Sequence, residues 1–173
     1  DEIVEELGGF NDTVARRIHD DGMEVSQAKS VVSASSPSLG AEMAAYLRPH
    51  GIKHTLRVKS LGVGLAAGIR RNMIVLNKRL KAFRKRLPRF KALRGVGVDT
   101  TRLLRTGGAA ALVHGEGSTG VSPSMLTAQR RAVNAAAAPQ SGLGGQELEF
   151  SMMIADGSKT GKVDPAFEAH TSV

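Results

Sequence analysis

There is no cysteine among these 173 residues. Disulfides, thiolate-bound zinc, iron–sulfur clusters and a cysteine nucleophile are all excluded by that absence. Tryptophan is missing too, and one Tyr with five Phe bring aromatics to only 3%. A core must therefore be assembled from Ala, Leu, Val, Ile and Met, and the 41% apolar content is enough for one. No uncharged apolar run approaches the ~18 residues of a membrane span. The first twelve residues carry five acids and no base, the wrong composition for a secretory leader. The sequence thus predicts a nuclear or cytoplasmic protein that is not secreted and has no membrane partner. It starts at Asp1 and not at Met, which suggests a piece of a longer polypeptide.

One more absence is local. Between Met43 and Val98 there is no acid, but there are fifteen Lys or Arg, eleven of them between Arg70 and Arg94. Residues 1–24 hold the opposite balance, eight acids against Arg16 and Arg17. The net charge of +8 is therefore strongly polarised along the chain. An uncompensated basic block repels itself and points to a polyanionic partner, RNA or DNA. A solvated face or a nuclear-localisation patch is the plainer reading.

The periodicities suggest α+β. Ile3, Leu7, Phe10, Val14 and Ile18 recur at helical spacing over residues 1–19, weakened by Gly8 and Gly9. Asp20-Asp21-Gly22 reads as a turn, Met23-Glu24-Val25 and Ser30-Val31-Val32-Ser33-Ala34 as short strands. Ser36-Pro37 opens a helix that stops before Pro49. From Ile52 the period becomes two, with Ile52, His54, Leu56 and Val58 on one side; His54 there reads as a satisfied core residue. Leu61-Gly62-Val63-Gly64-Leu65 continues as a glycine-bearing strand. Ile69, Met73, Leu76, Leu80, Phe83, Leu87 and Phe90 step by four and three, the seam of a long helix that Pro88 should kink or end. A short helix is expected from Asp99 or Thr100 to Gly107-Gly108, and another, opened by Ser122-Pro123, from Ser124 to about Ala138. Gly115-Glu116-Gly117-Ser118-Thr119-Gly120 lacks the ending of a phosphate loop and reads as an ordinary loop. Pro139 to Gly145 reads as a linker, and little period follows it.

Two segments carry a family resemblance when taken in order. Gly22-Met23-Glu24-Val25-Ser26-Gln27-Ala28-Lys29-Ser30-Val31-Val32 resembles the strand–turn–Lys–strand late in the palm of reverse transcriptases. Val58-Lys59-Ser60-Leu61-Gly62-Val63 resembles the primer-grip hairpin that follows, with Ser60 where the family usually has Tyr or Phe. With the basic helix behind them, residues 1 to about 137 resemble the C-terminal palm and thumb of a non-LTR (LINE-type) retrotransposon reverse transcriptase. The resemblance implies a division at 1–66 (palm end), 67–138 (basic thumb or connection segment) and 139–173 (flexible tail). The expected fold class is α+β: a small palm-end sheet with packed helices, a basic helical segment and a disordered tail.

The implied function is contact with the backbone of an RNA or DNA primer–template, made together with the remainder of the parent polypeptide. Ser60, Leu61, Gly62 and Val63 would be the primer-grip-like turn. Lys59, Arg70, Arg71, Lys78, Arg79, Lys81, Arg84, Lys85, Arg86 and Arg89 are the candidate nucleic-acid-binding residues. Lys29 stands where the family has a lysine near the incoming nucleotide's phosphates; a solvated turn lysine is the plainer reading. The parent polymerase would need Mg²⁺ held by aspartates. Asp20-Asp21 is the only Asp-Asp pair, and it lies in a turn rather than between apolar strands. No catalytic residue, metal ligand or cofactor is therefore expected in this chain. Two other readings stay open: a stand-alone basic nucleic-acid-binding or nuclear interaction module, and the start of a ribonuclease-H-like region at Asp156-Gly157-Ser158.

Overall fold

A computed structural model describes residues 2–67, 71–137, 152 and 163–170. The fold is α+β, dominated by helices, with two sheets of two strands each among the described residues. The chain divides into two compact units: Asp1–Ser60 with Leu65–Asn72, and Leu61–Gly64 with Met73–Val173.

In the first unit, α1 (Glu2–Asp20) packs on α2 (Pro37–Tyr46). Gly8, which weakens a helix in isolation, is what lets them approach: a Cβ there would lie 2.8 Å from the Tyr46 ring. The end of α1 is a Schellman motif. Gly22 takes φ +76°, its N–H bonds the His19 carbonyl at 2.9 Å, and Met23 N–H bonds that of Ile18 at 3.0 Å. Ser36 caps α2, its hydroxyl accepting from Leu39 N–H, with Pro37 in the first turn as the sequence predicts. A 3₁₀ turn, Arg48–His50, follows.

The strands are shorter than the alternation suggests. β1 (Val31–Val32) pairs in parallel with β2 (Lys53–His54), Val31 opposite Lys53 and Val32 opposite His54. Met23-Glu24-Val25 is not a strand. The expected continuous strand over 52–58 is broken: Thr55 Oγ1 accepts from Arg57 N–H and donates to the Arg57 carbonyl, which turns the chain between β2 and β3 (Arg57–Ser60). Leu56 is left exposed. Gly40 of α2 sits against His54, where a Cβ would overlap the imidazole. His54 is not the satisfied core residue that its position suggests, because its buried Nε2 has no hydrogen-bond partner among the described residues.

β3 and β4 (Val63–Ala66) form a hairpin through Leu61-Gly62. Both turn residues have positive φ, +47° and +84°, the requirement of a two-residue turn whose twist matches the strands. Asn72 donates its side-chain amide to the Val58 and Leu65 carbonyls and so clasps the two strands.

The second unit is built on α3 (Ile74–Gly95). Leu76, Leu80 and Phe83 are buried, with Met73, Leu87 and Phe90 packed against the same core. Pro88 does not end this helix. It lies on the exposed side, while Leu87 and Phe90 keep the inner face packed. The stop comes two turns later. Gly97 at φ +82° closes another Schellman motif, with bonds to Arg94 and from Val98 to Leu93.

The next segment also overrides a glycine stop. Asp99 caps α4 (Thr100–Leu103), and the helix widens into a π turn over Leu104–Gly108 before continuing as α5 (Ala109–Val113). Burial of Leu104, Ala109 and Leu112 carries the chain through Gly107-Gly108, and Gly108 lies close to Leu104 and Phe83. Residues 116–119, expected as loop, form a short helix, α6. Glu116 is buried there and accepts from the Gln129 amide. Helix α7 (Pro123–Ala137) lies on α3 and is capped by Ser122, as its sequence predicts.

Most of 139–173 lies outside the described residues, as do Ile69, Arg70 and the ribonuclease-H-like Asp156-Gly157-Ser158. What is described of that tail is packed. Met152 and Val163 are buried in the core of the second unit, Asp164 pairs with Arg130 at 2.9–3.0 Å, and Pro165–His170 forms α8.

Candidate nucleic-acid interface

At 3.6 residues per turn the seam of α3 fixes where its charges point. The buried side chains of Leu76, Leu80 and Phe83 define the inner direction. Lys78, Lys81, Lys85 and Arg89 then fall within ~50° of the opposite direction, and all four are exposed. They form one ridge about 16 Å long at 1.5 Å per residue. Arg84 and Arg86 are exposed on opposite flanks of it, and exposed Lys91, absent from the candidates read from sequence, lies toward the Arg84 side. Among the described residues the ion pairs are Arg16–Asp12, His50–Asp12 and Arg130–Asp164; none involves these cations. Such a ridge can neutralise a row of phosphates. It has no aromatic platform, because Phe83 and Phe90 stack on each other at 5.8 Å on the inner side.

Arg79 departs from that group. It is half-buried, and its guanidinium donates to the Gly62 carbonyl at 2.7 Å and to the His114 carbonyl. His114 Nε2 in turn lies 3.3 Å from the Leu61 carbonyl. Arg79 is thus occupied in holding the tip of the β3–β4 hairpin, and is not available as a simple phosphate contact. The tip itself carries strain: Leu61 is 94% exposed at a φ that leucine rarely adopts. The sequence singles out Ser60, Leu61, Gly62 and Val63 by resemblance; their anchoring to α3 and His114 had no sequence signal.

The other candidates lie in the first unit. Arg71 is exposed ahead of α3. Lys29 and Lys59, thirty residues apart, line one groove of about 640 Å³ with Ser30, Val31, Val58 and Ser60. Its floor is apolar, formed by Ala15, Met43 and Leu47. Asp20 ends α1 and Asp21 lies in the following turn, both exposed. Among the described residues no group of three or more His, Asp or Glu could hold a metal ion.

A separate cluster joins α1 to the 3₁₀ turn. His50 Nε2 donates to Asp12 at 2.8 Å, and Arg16 pairs with the same carboxylate at 2.7 Å. The His50 hydrogen bond, with the charge of Arg16 beside it, holds Asp12 below the usual carboxylate value of 3.8. Thr101 does the same for Asp99 through its hydroxyl and its main-chain N–H. No described helix is long and apolar enough to cross a membrane. Comparison with protein-family models, with curated proteins and with solved structures finds no match to this chain.

Proposed function

We propose that this chain binds the sugar–phosphate backbone of RNA or DNA through α3, without reading bases. The single observation that carries the reading is the exposed ridge Lys78–Lys81–Lys85–Arg89, none of whose cations is in an ion pair among the described residues. Each cation that meets a phosphate displaces condensed counterions, which gives affinity without sequence preference. The finer proposal is that the partner is a primer–template held by a palm-and-thumb segment of a retroelement RNA-directed DNA polymerase. Its support is the order of the Lys29 segment, the Leu61-Gly62 turn and the basic helix, together with the attachment of that turn to α3 through Arg79. In that role the exposed turn would rest against the primer strand while the ridge held phosphates, and the chemistry would belong to aspartates carried elsewhere in the polypeptide. A stand-alone binding module would use the ridge alone.

The test is the salt dependence of binding. Four phosphate contacts give a slope of log affinity against log salt of about −3 to −4. Replacing Lys78, Lys81, Lys85 and Arg89 with Gln should flatten the slope by two or more and weaken all sequences alike. Unchanged affinity and slope would make the ridge a solvated face. Leu61→Gly separates the finer proposal: it should weaken a recessed primer–template relative to a blunt duplex, whereas a stand-alone module would bind both as before.

A further inference from the structure

The groove in the first unit is not used by the backbone-binding ridge. Strands β1, β3 and β4 line it, and among the described residues each pairs on one side only: β1 with β2, β3 with β4. Two-stranded sheets of two and four residues are marginal by themselves, and a one-sided strand keeps a row of main-chain donors and acceptors without a strand partner. Between the strands the floor is apolar, with Ala15, Met43 and Leu47 buried beneath it. The rim carries Lys29 and Lys59, both exposed, and among the described residues no carboxylate lines the groove.

The geometry points to an added strand: the groove takes an extended peptide segment whose residues alternate apolar and acidic. An extended chain turns successive side chains to opposite faces. Its apolar residues therefore descend onto Ala15, Met43 and Leu47, and its carboxylates rise to Lys29 and Lys59. Its main chain pairs with β1 or β3, which supplies affinity while the floor and the lysines supply selectivity. About six residues, near 20 Å at ~3.3 Å each, suffice to run the length of such short strands. Lys29 and Lys59 then serve a peptide and not a phosphate. This does not depend on α3.

The experiment titrates the full chain with an acetylated, amidated hexapeptide of alternating Glu and Val, followed by amide ¹⁵N–¹H spectra. The expected result is shifts concentrated at Val31–Ser33 and Val58–Ser60, with slowed amide exchange there. Replacing Lys29 and Lys59 together by Gln should weaken binding about five- to tenfold, the scale of two exposed ion pairs. The same peptide with Pro at every second position, which lacks the N–H groups, should not bind; this comparison uses the unaltered protein and so does not depend on the variant folding. The four-Gln α3 variant should bind the peptide as the native chain does, so failure of the ridge leaves this result standing. Equal binding of the proline peptide, shifts produced by decanoate but not by the peptide, or no shift at all would each overturn the proposal.

Discussion

Arg79 reaches from α3 to the main-chain oxygen of Gly62 at 2.7 Å. That bond makes the basic helix α3 an anchor of the turn that holds Leu61 at positive φ. Leu61 pays for φ +47° with no burial of its own, so the turn depends on Arg79 and His114 to persist.

Arg79→Gln should therefore lower stability by about 1–2 kcal/mol, through loss of charge-assisted bonds to two carbonyls at a half-buried site. Lys85→Gln, six residues on and exposed, should stay within about 0.5 kcal/mol. Thermal unfolding of the two variants checks this; equal effects would show that the Arg79 contacts contribute nothing.

The seam and the ridge of α3 should separate cleanly. Phe83→Ala should cost about 3–5 kcal/mol and Leu80→Ala about 2–5 kcal/mol, since both are buried in the core of the second unit. Neither should change the salt slope of nucleic-acid binding in the fraction that remains folded. Denaturant titration and binding at several salt concentrations measure the two effects independently.

Truncation after Ala137 should destabilise the second unit. It removes Met152 and Val163, both buried, and the Asp164 carboxylate that pairs with Arg130. Each apolar side chain contributes about 1.5–3 kcal/mol when fully buried. A truncated chain with an unchanged melting temperature would show that this packing is not significant.

The acid limb of stability should depend on Asp12 and Asp99. Both are held below 3.8 in the folded chain. A carboxylate with a depressed folded value stabilises the fold above its ordinary value and loses that contribution as pH falls through the folded one. Stability should therefore decline below about pH 4, and less steeply in Asp12→Asn. Urea unfolding between pH 2 and 6 tests the sign; identical profiles for native and variant would refute it.

Purified chain with template, primer, nucleotides and Mg²⁺ or Mn²⁺ should give no extension product, because Asp20 and Asp21 sit exposed at a helix end and, among the described residues, no third His, Asp or Glu completes a metal-holding group with them. Extension that disappears in Asp20→Asn/Asp21→Asn would overturn the assignment of catalysis elsewhere.

Local chemistry alone determined much of this protein. The caps Ser36, Asp99 and Ser122 act within four residues of themselves, and the Leu76–Leu80–Phe83 seam follows from helical spacing, so both could be read directly from the sequence. The basic ridge follows as well, since the seam fixes which charges point away from it. Only tertiary packing decided that α3 runs through Pro88 and that a helix passes Gly107-Gly108, because buried neighbours outweigh a weak local stop. The same holds for α6 and for the diversion of Arg79 from phosphate ligand to turn anchor. Each rests on a partner far along the chain or on burial. His114 is 35 residues from Arg79 and Gln129 is 13 from Glu116, and no periodicity links residues whose contact exists only once the chain has folded.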